Sequence, residues 1–203
     1  MDGIAVDVLL MGFLERDGDG RVIDSETSSS STLIRCHGHN IVVDTGSAFM
    51  KAGIKTSLKQ IGVFPDEVDI LILTHNHGDH TGNVGMFPKA RILMHSGDEP
   101  FKGAETIDGP EYKVCEGVRI VHTPGHTPGS CSVFVSGDRN YVITGDACPL
   151  KDNFVKHIPP RLNCDESAAM ESLRRIEAFA DVVVPGHDQP FFTRKAGGQR
   201  KRR

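Results

Sequence analysis

Thr74-His75-Asn76-His77-Gly78-Asp79-His80 follows the apolar run 68–73 and decides how this chain is read. Four potential metal ligands fall within six residues. A strand feeding a loop puts His75 and His77, two residues apart, on the same side. A helix starting near Gly78 points Asp79 and His80 from its first turn toward a different spot. One segment then serves two adjacent metal ions. Gly78 lets the backbone turn tightly between the two ligand pairs. Polar surface loops seldom place three imidazoles and a carboxylate so densely, so the string reads as metal-binding.

Three further candidates stand downstream, each at a predicted strand end beside glycine. His126 lies in Thr123-Pro-Gly-His-Thr-Pro-Gly129, Asp146 in Thr144-Gly-Asp146, and His187 in Val184-Pro-Gly-His-Asp188. Taken singly, His126 or His187 reads as an ordinary surface histidine. Together with the string they make a donor set of imidazole and carboxylate without thiolate, which suits zinc, manganese or iron. A closed structural zinc site needs only four ligands. Seven candidates fit an open pair of ions.

Outward from the string, residues 4–13 read as a strand and 15–31 as a polar loop. Residues 32–36 and 40–44 read as short strands joined by a Gly38-His39-Asn40 turn. Ser47 is placed as the N-cap of a helix running to Ile61, and Asp165 as the N-cap of a second. Residues 91–95, 117–123, 131–136, 141–144 and 181–185 are further strands. Short strands with few helices predict sheet layers covered by helices, an α/β sandwich. Residues 40–46 and 140–146 share one pattern: a polar residue, three β-formers, then a Gly/Asp turn. That pattern raises the expectation of two related halves.

The chain has 203 residues, a common size for one domain. The last ten residues hold six bases and no acid, against a net charge of −4. The expected division is an acidic body, 1–193, and a basic, disordered tail, 194–203. An acidic body is a poor non-specific partner for nucleic acid. No apolar run reaches the roughly 18 residues of a membrane helix, and Met1-Asp2-Gly3 does not start a signal peptide. Five widely spaced cysteines without a C-x-x-C pair predict no disulfide framework and a reducing, cytoplasmic setting. Cys148 is expected to be buried and inert. Residues 15–26 nearly match a calcium loop, but Glu15 replaces the first Asp and serines replace the exit helix. A hairpin loop acting as a lid is the preferred reading.

The chain resembles the metallo-β-lactamase-fold superfamily. The H-x-H-x-D-H string, the later His126, Asp146 and His187, and Asp44-Thr45-Gly46 after an apolar strand match that family's motifs in order and approximate spacing. The resemblance spans about residues 4–192 and implies a four-layer αβ/βα sandwich with its site at the sheet edges. It assigns His75, His77 and His126 to a first metal and Asp79, His80 and His187 to a second. Asp146 would bridge them, and Asp44 would orient the ligand loop. Within that superfamily the chain bears a closer resemblance to metallo-β-lactamase-domain-containing protein 1-like proteins and their microbial relatives, through residues 6–13, 43–46, 82–88 and 180–187. Pro149 stands where quorum-quenching lactonases of the superfamily carry a tyrosine. The 40 residues between Asp146 and His187 leave no room for a β-CASP insert.

The resemblance implies a hydrolase that uses two divalent cations, zinc foremost with iron or manganese as alternatives, to activate water. Asp79 would handle the proton. The expected substrate is a small ester, lactone or thioester, with His157 and Arg161 as substrate-binding candidates. The alternatives are an RNA nuclease or phosphodiesterase on the same two metals, and a single-iron oxidoreductase of the same fold. Expected partners are therefore a small molecule, RNA in the alternative, and a second copy of the chain as a homodimer, with no membrane.

Overall fold

Two six-stranded sheets face one another in the computed structural model, which describes residues 3–193. The basic stretch 194–203 lies outside the described residues. The first sheet runs in chain order through β1 (Ala5–Leu10), β2 (Ser31–Cys36), β3 (His39–Val43), β4 (Ile70–Ile72), β5 (Arg91–His95) and β6 (Glu105–Ile107). The second is built from β7 (Glu111–Cys115), β8 (Val118–His122), β9 (Cys131–Ser136), β10 (Asn140–Ile143), β11 (Val182–Val184) and β12 (Phe191–Phe192). Four helices accompany them among the described residues: α1 (Lys51–Ile61), α2 (Gly78–Thr81), α3 (Lys151–Lys156) and α4 (Glu166–Phe179).

The two-residue period of each strand sorts its side chains into layers. Ile41 and Val43 point into the space between the sheets with Ile70 and Ile72, against Ile120, Val133, Ile143 and Val184. Val42 and Leu71 point the other way, onto Ile54 and Leu58 of α1. Val142 and Val183 likewise meet Leu173 and Ile176 of α4. The result is the expected αβ/βα sandwich. Strands buried on both faces, such as β4 and β11, read as unbroken apolar runs for this reason.

The echo between residues 40–46 and 140–146 has a structural counterpart. β2–β3 is an antiparallel pair, and β3 lies parallel to β4 across α1. β9–β10 is antiparallel too, and β10 lies parallel to β11 across α3 and α4. Matching backbone bonds close both units. Asp69 and Asp181 donate to Asn40 and Asn140, while Asp44 and Thr144 donate to Ile72 and Val184.

Several expectations need correction. The β2–β3 turn is His37-Gly38, both at positive φ, with Cys36 opposite His39. Ser47 precedes a short 3-10 turn, and its hydroxyl donates to the Thr27 carbonyl instead of capping α1. Asp165 does cap α4, accepting from the Ala168 N–H at 2.9 Å. Residues 28–31 are not exposed loop: all four serines are buried. Cys36 and Cys115 form a disulfide that joins the two sheets. They lie 79 residues apart, so only the packing of the sheets brings them together. With that pair present, cysteine usage no longer argues for a reducing setting.

Candidate metal centre

The seven candidate ligands meet at one end of the strands, each delivered by its own backbone device. β4 ends at Ile72, and the next residues carry His75 inward and His77 to the surface. α2 starts at Gly78 and turns Asp79 and His80 to a second position, as the string suggested. The loop after β8 carries His126. Asp146 follows Gly145, whose φ of 48° turns the chain sharply off β10. Gly186 precedes His187, and a Cβ on it would overlap Asp146 Oδ1. Only glycine lets that backbone approach the carboxylate.

His75 Nε2 and His126 Nε2 lie 2.9 and 3.1 Å from His77 Nδ1. On the other side, His187 Nε2 is 3.4 Å from Asp79 Oδ2, and His80 Nε2 is 4.0 Å from it. Asp146 stands between the groups. Its Oδ2 is 3.5 Å from His126 Nε2, and its Oδ1 is 3.2 Å from His187 Nε2 and 3.4 Å from His80 Nε2. The donor atoms form three overlapping groups: His75/His77/His126, His75/His80/Asp146 and Asp79/His80/His187.

The far nitrogens of the rings are tied down. His126 Nδ1–H donates to the Leu162 carbonyl at 2.7 Å, His187 Nδ1–H to Ser28 O at 3.1 Å, and His80 Nδ1–H to Asp44 Oδ2 at 2.8 Å. Asp44 also accepts from the Thr74 N–H and hydroxyl, both at 2.8 Å. Such bonds fix the tautomer and leave the opposite nitrogen free as a ligand. Ser28 and Leu162 are contributors that sequence reading missed, because they act through backbone carbonyls. The buried serine run locks the same region: Ser29 N–H donates to Asp79 O, and Ser30 N–H to Gly186 O. Small hydroxyl residues fit where several backbones crowd together. On paper they resemble a loop.

The residues fit divalent cations. His80 Nε2 and Asp146 Oδ1 are buried polar atoms without a hydrogen-bond partner among the described residues. Such atoms are costly unless something satisfies them. A tetrahedral zinc with Zn–N of about 2.0–2.1 Å holds its ligand atoms roughly 3.3 Å apart. His77 Nδ1 stands close to that spacing from both His75 Nε2 and His126 Nε2. Burial, then His80, pushes the His75 imidazole well below its ordinary pKa, so its lone pair is available. Burial, then His126, lowers His77 as well. Burial opposes charge on His80 and on Asp146, yet their carboxylate and imidazole neighbours prevail. Asp44 and Asp146 raise His80, while His187 and His80 hold the Asp146 carboxyl well below the usual range.

A cavity of about 540 Å³ opens over the cluster. Leu14, Val22, Phe49 and Leu162 wall it, with His77, Asp79, His126, Asp146 and His187 at its base. The hairpin of residues 15–26 therefore overhangs the centre. Arg161 reaches that hairpin, donating to Gly20 O at 2.9 Å. His157 is not brought to the cluster. It ends α3 in a left-handed conformation, 3.0 Å from Glu177, and lines a different groove. Cys148 is buried, and burial raises its thiol pKa, so it is an inert core group. The rings of His95 and His122 stack with centroids 3.8 Å apart, and neither residue belongs to the three donor groups.

A sandwich of this topology carries, at its strand ends, a His/Asp cluster able to hold divalent metal ions. The Metallo-beta-lactamase superfamily profile matches residues 24–96 and 103–187, and the chain belongs to that superfamily. A Methanocaldococcus jannaschii protein named probable metallo-hydrolase is 38% identical over 155 residues, 76% of this chain and 74% of that one. Mouse metallo-beta-lactamase domain-containing protein 1 is 31% identical over 204 residues, 94% of this chain and 75% of that one. A solved quorum-quenching N-acyl homoserine lactone lactonase superposes with a TM-score of 0.71 at 24% identity, covering 92% of each chain. No described helix is long and apolar enough to cross a membrane.

Proposed function

We propose that the chain hydrolyses a small ester, lactone or thioester at a pair of divalent cations, zinc by preference. His75, His77 and His126 hold one ion, and Asp79, His80 and His187 hold the other. The observation that carries this reading is Asp146, whose two oxygens face the two groups of imidazoles separately. Bound there, two cations supply Lewis acidity and lower the pKa of water toward neutrality.

The chain's own groups do the rest. Asp44 keeps His80 oriented through its Nδ1–H. Asp79 is part-exposed at the cavity base, where its carboxylate can take a proton from water. The water oxygen bonds to the carbonyl carbon, the C–O or C–S bond breaks, and the proton passes from Asp79 to the leaving group. Leu14, Val22, Phe49 and Leu162 offer an apolar wall for the rest of the substrate. The lactonase of similar fold acts on such a carbonyl substrate and supports this choice.

The test is a substrate panel on protein loaded with zinc, manganese or iron. Ester, lactone or thioester turnover that follows zinc occupancy is expected. Cleavage confined to single-stranded RNA or bis-aryl phosphates, or oxygen consumption with one iron, would replace this reading.

A further inference from the structure

A second arm of about 210 Å³ leaves the metal cluster. His126 and Asp146 wall it as they wall the larger cavity, so both arms open onto the same reacting position. Its sides are mostly apolar, from Leu14, Pro149 and Ile158 among others. Its character changes where Arg16 and Arg161 line it. Arg16 comes from the overhanging hairpin, and Arg161 from the segment between α3 and α4. Both donate from Nη1 to the same carbonyl, Gly20 O, at 2.9 Å each. Two guanidinium groups, distant in sequence, therefore stand within two hydrogen-bond lengths of one another.

Neither has a carboxylate partner among the described residues. By contrast, Arg21, Arg35, Arg91, Arg119, Arg174 and Arg175 each have a carboxylate oxygen within 4.0 Å, and Arg139 lies over the Phe192 ring. Of the two carboxylates that line this arm, Asp146 belongs to the metal cluster and Asp152 is 2.6 Å from Lys156, so both are already engaged. The shared carbonyl uses one donor of each arginine, and the planar forks keep their other N–H groups. Two converging cations without a counter-ion repel one another, and an anion between them relieves that repulsion. Guanidinium forks match a carboxylate two bonds at a time.

We infer that Arg16 and Arg161, both lining this arm, form a carboxylate clamp, selecting an ester, lactone or thioester substrate with a carboxylate at the end of an apolar linker. This deepens the hydrolase reading and rests on it. The reaction is unchanged: water adds to the carbonyl carbon, the C–O or C–S bond breaks, and the leaving group takes the proton. The clamp holds the remote carboxylate and takes no part in bond making.

The experiment compares paired esters on the zinc-loaded chain. Mono-4-nitrophenyl esters of a series of dicarboxylic acids are run beside their methyl-capped diesters. Acetate esters of ω-hydroxy acids are run beside their methyl esters, so either half of the substrate can carry the charge. At least one free acid should exceed its capped partner by about tenfold or more in kcat/KM, mainly through KM, and the ratio should shrink with salt. R16Q/R161Q should bring that ratio close to one. Equal rates for free and capped esters in the wild type would overturn the clamp while leaving the hydrolase standing. So would a variant that slows both members of a pair alike, because Arg161 then only anchors the hairpin. A calorimetric titration with N-acetyl-6-aminohexanoate needs no turnover. Binding should be lost in R16Q/R161Q, and undiminished binding there overturns the clamp. If no ester is hydrolysed, the hydrolase reading fails and the titration alone decides the clamp.

Discussion

The first half of the sandwich brings its donors to the metal centre from one segment, while the second half brings them one at a time. His75, His77, Asp79 and His80 all follow β4, whereas His126, Asp146 and His187 follow β8, β10 and β11. The backbones beneath are closely matched. His75 is the third residue after Ile72, and His187 the third after Val184. A left-handed residue follows each hairpin, Asp44 at φ 54° and Gly145 at φ 48°. Asp44 itself and Asp146, the residue after Gly145, both reach His80, Asp44 at Nδ1 and Asp146 at Nε2. A repeated scaffold thus places one acid where it orients a ring and the other where it faces both donor groups.

Replacing those acids separates the roles. Asp146→Asn weakens the ligand shared by both groups, and turnover should fall at least about a hundredfold. Steady-state rates beside a circular dichroism spectrum check it. Near-normal turnover would mean that Asp146 is no bridge and the two halves contribute independently. Next in size are the helix contacts. Leu58→Ala under the first sheet and Leu173→Ala under the second should each cost about 2–5 kcal/mol, because both side chains are fully buried. Denaturant melts should show one transition for both variants. A separate early transition for Leu173→Ala alone would show that the halves fold as distinct units. Asp44→Asn is the smallest change. It keeps a residue tolerant of left-handed backbone but loses the acceptor charge on His80. Metal affinity should drop about 10–100-fold, as read by competition with a chromophoric chelator.

The same contrast explains what the sequence made legible. The four donors after β4 stand out because the string is dense, and the strand before it is an unbroken apolar run buried on both faces. His126, Asp146 and His187 gain meaning only when the first cluster supplies a place for them to meet. The 3.6-residue pattern of α4 and the cap at Asp165 were readable for local reasons. β6, β7 and β12 escaped because an edge strand such as Glu111–Cys115 is only partly covered and shows no clean apolar alternation. α3 is too short to display a face. The buried serines at 28–31 read as loop because their burial comes from neighbours far along the chain: Pro185 O accepts from the Ser30 hydroxyl at 2.7 Å. The Cys36–Cys115 pair was hidden for the same reason.

The claim at the centre is that one cluster, joined at Asp146, holds two cations. Elemental analysis of the purified, zinc-equilibrated chain beside His75→Ala and His187→Ala tests it most directly. The account predicts two metal ions per chain in the wild type and about one in each variant, each emptying a different site. A single ion in the wild type, unchanged by His187→Ala, would contradict it.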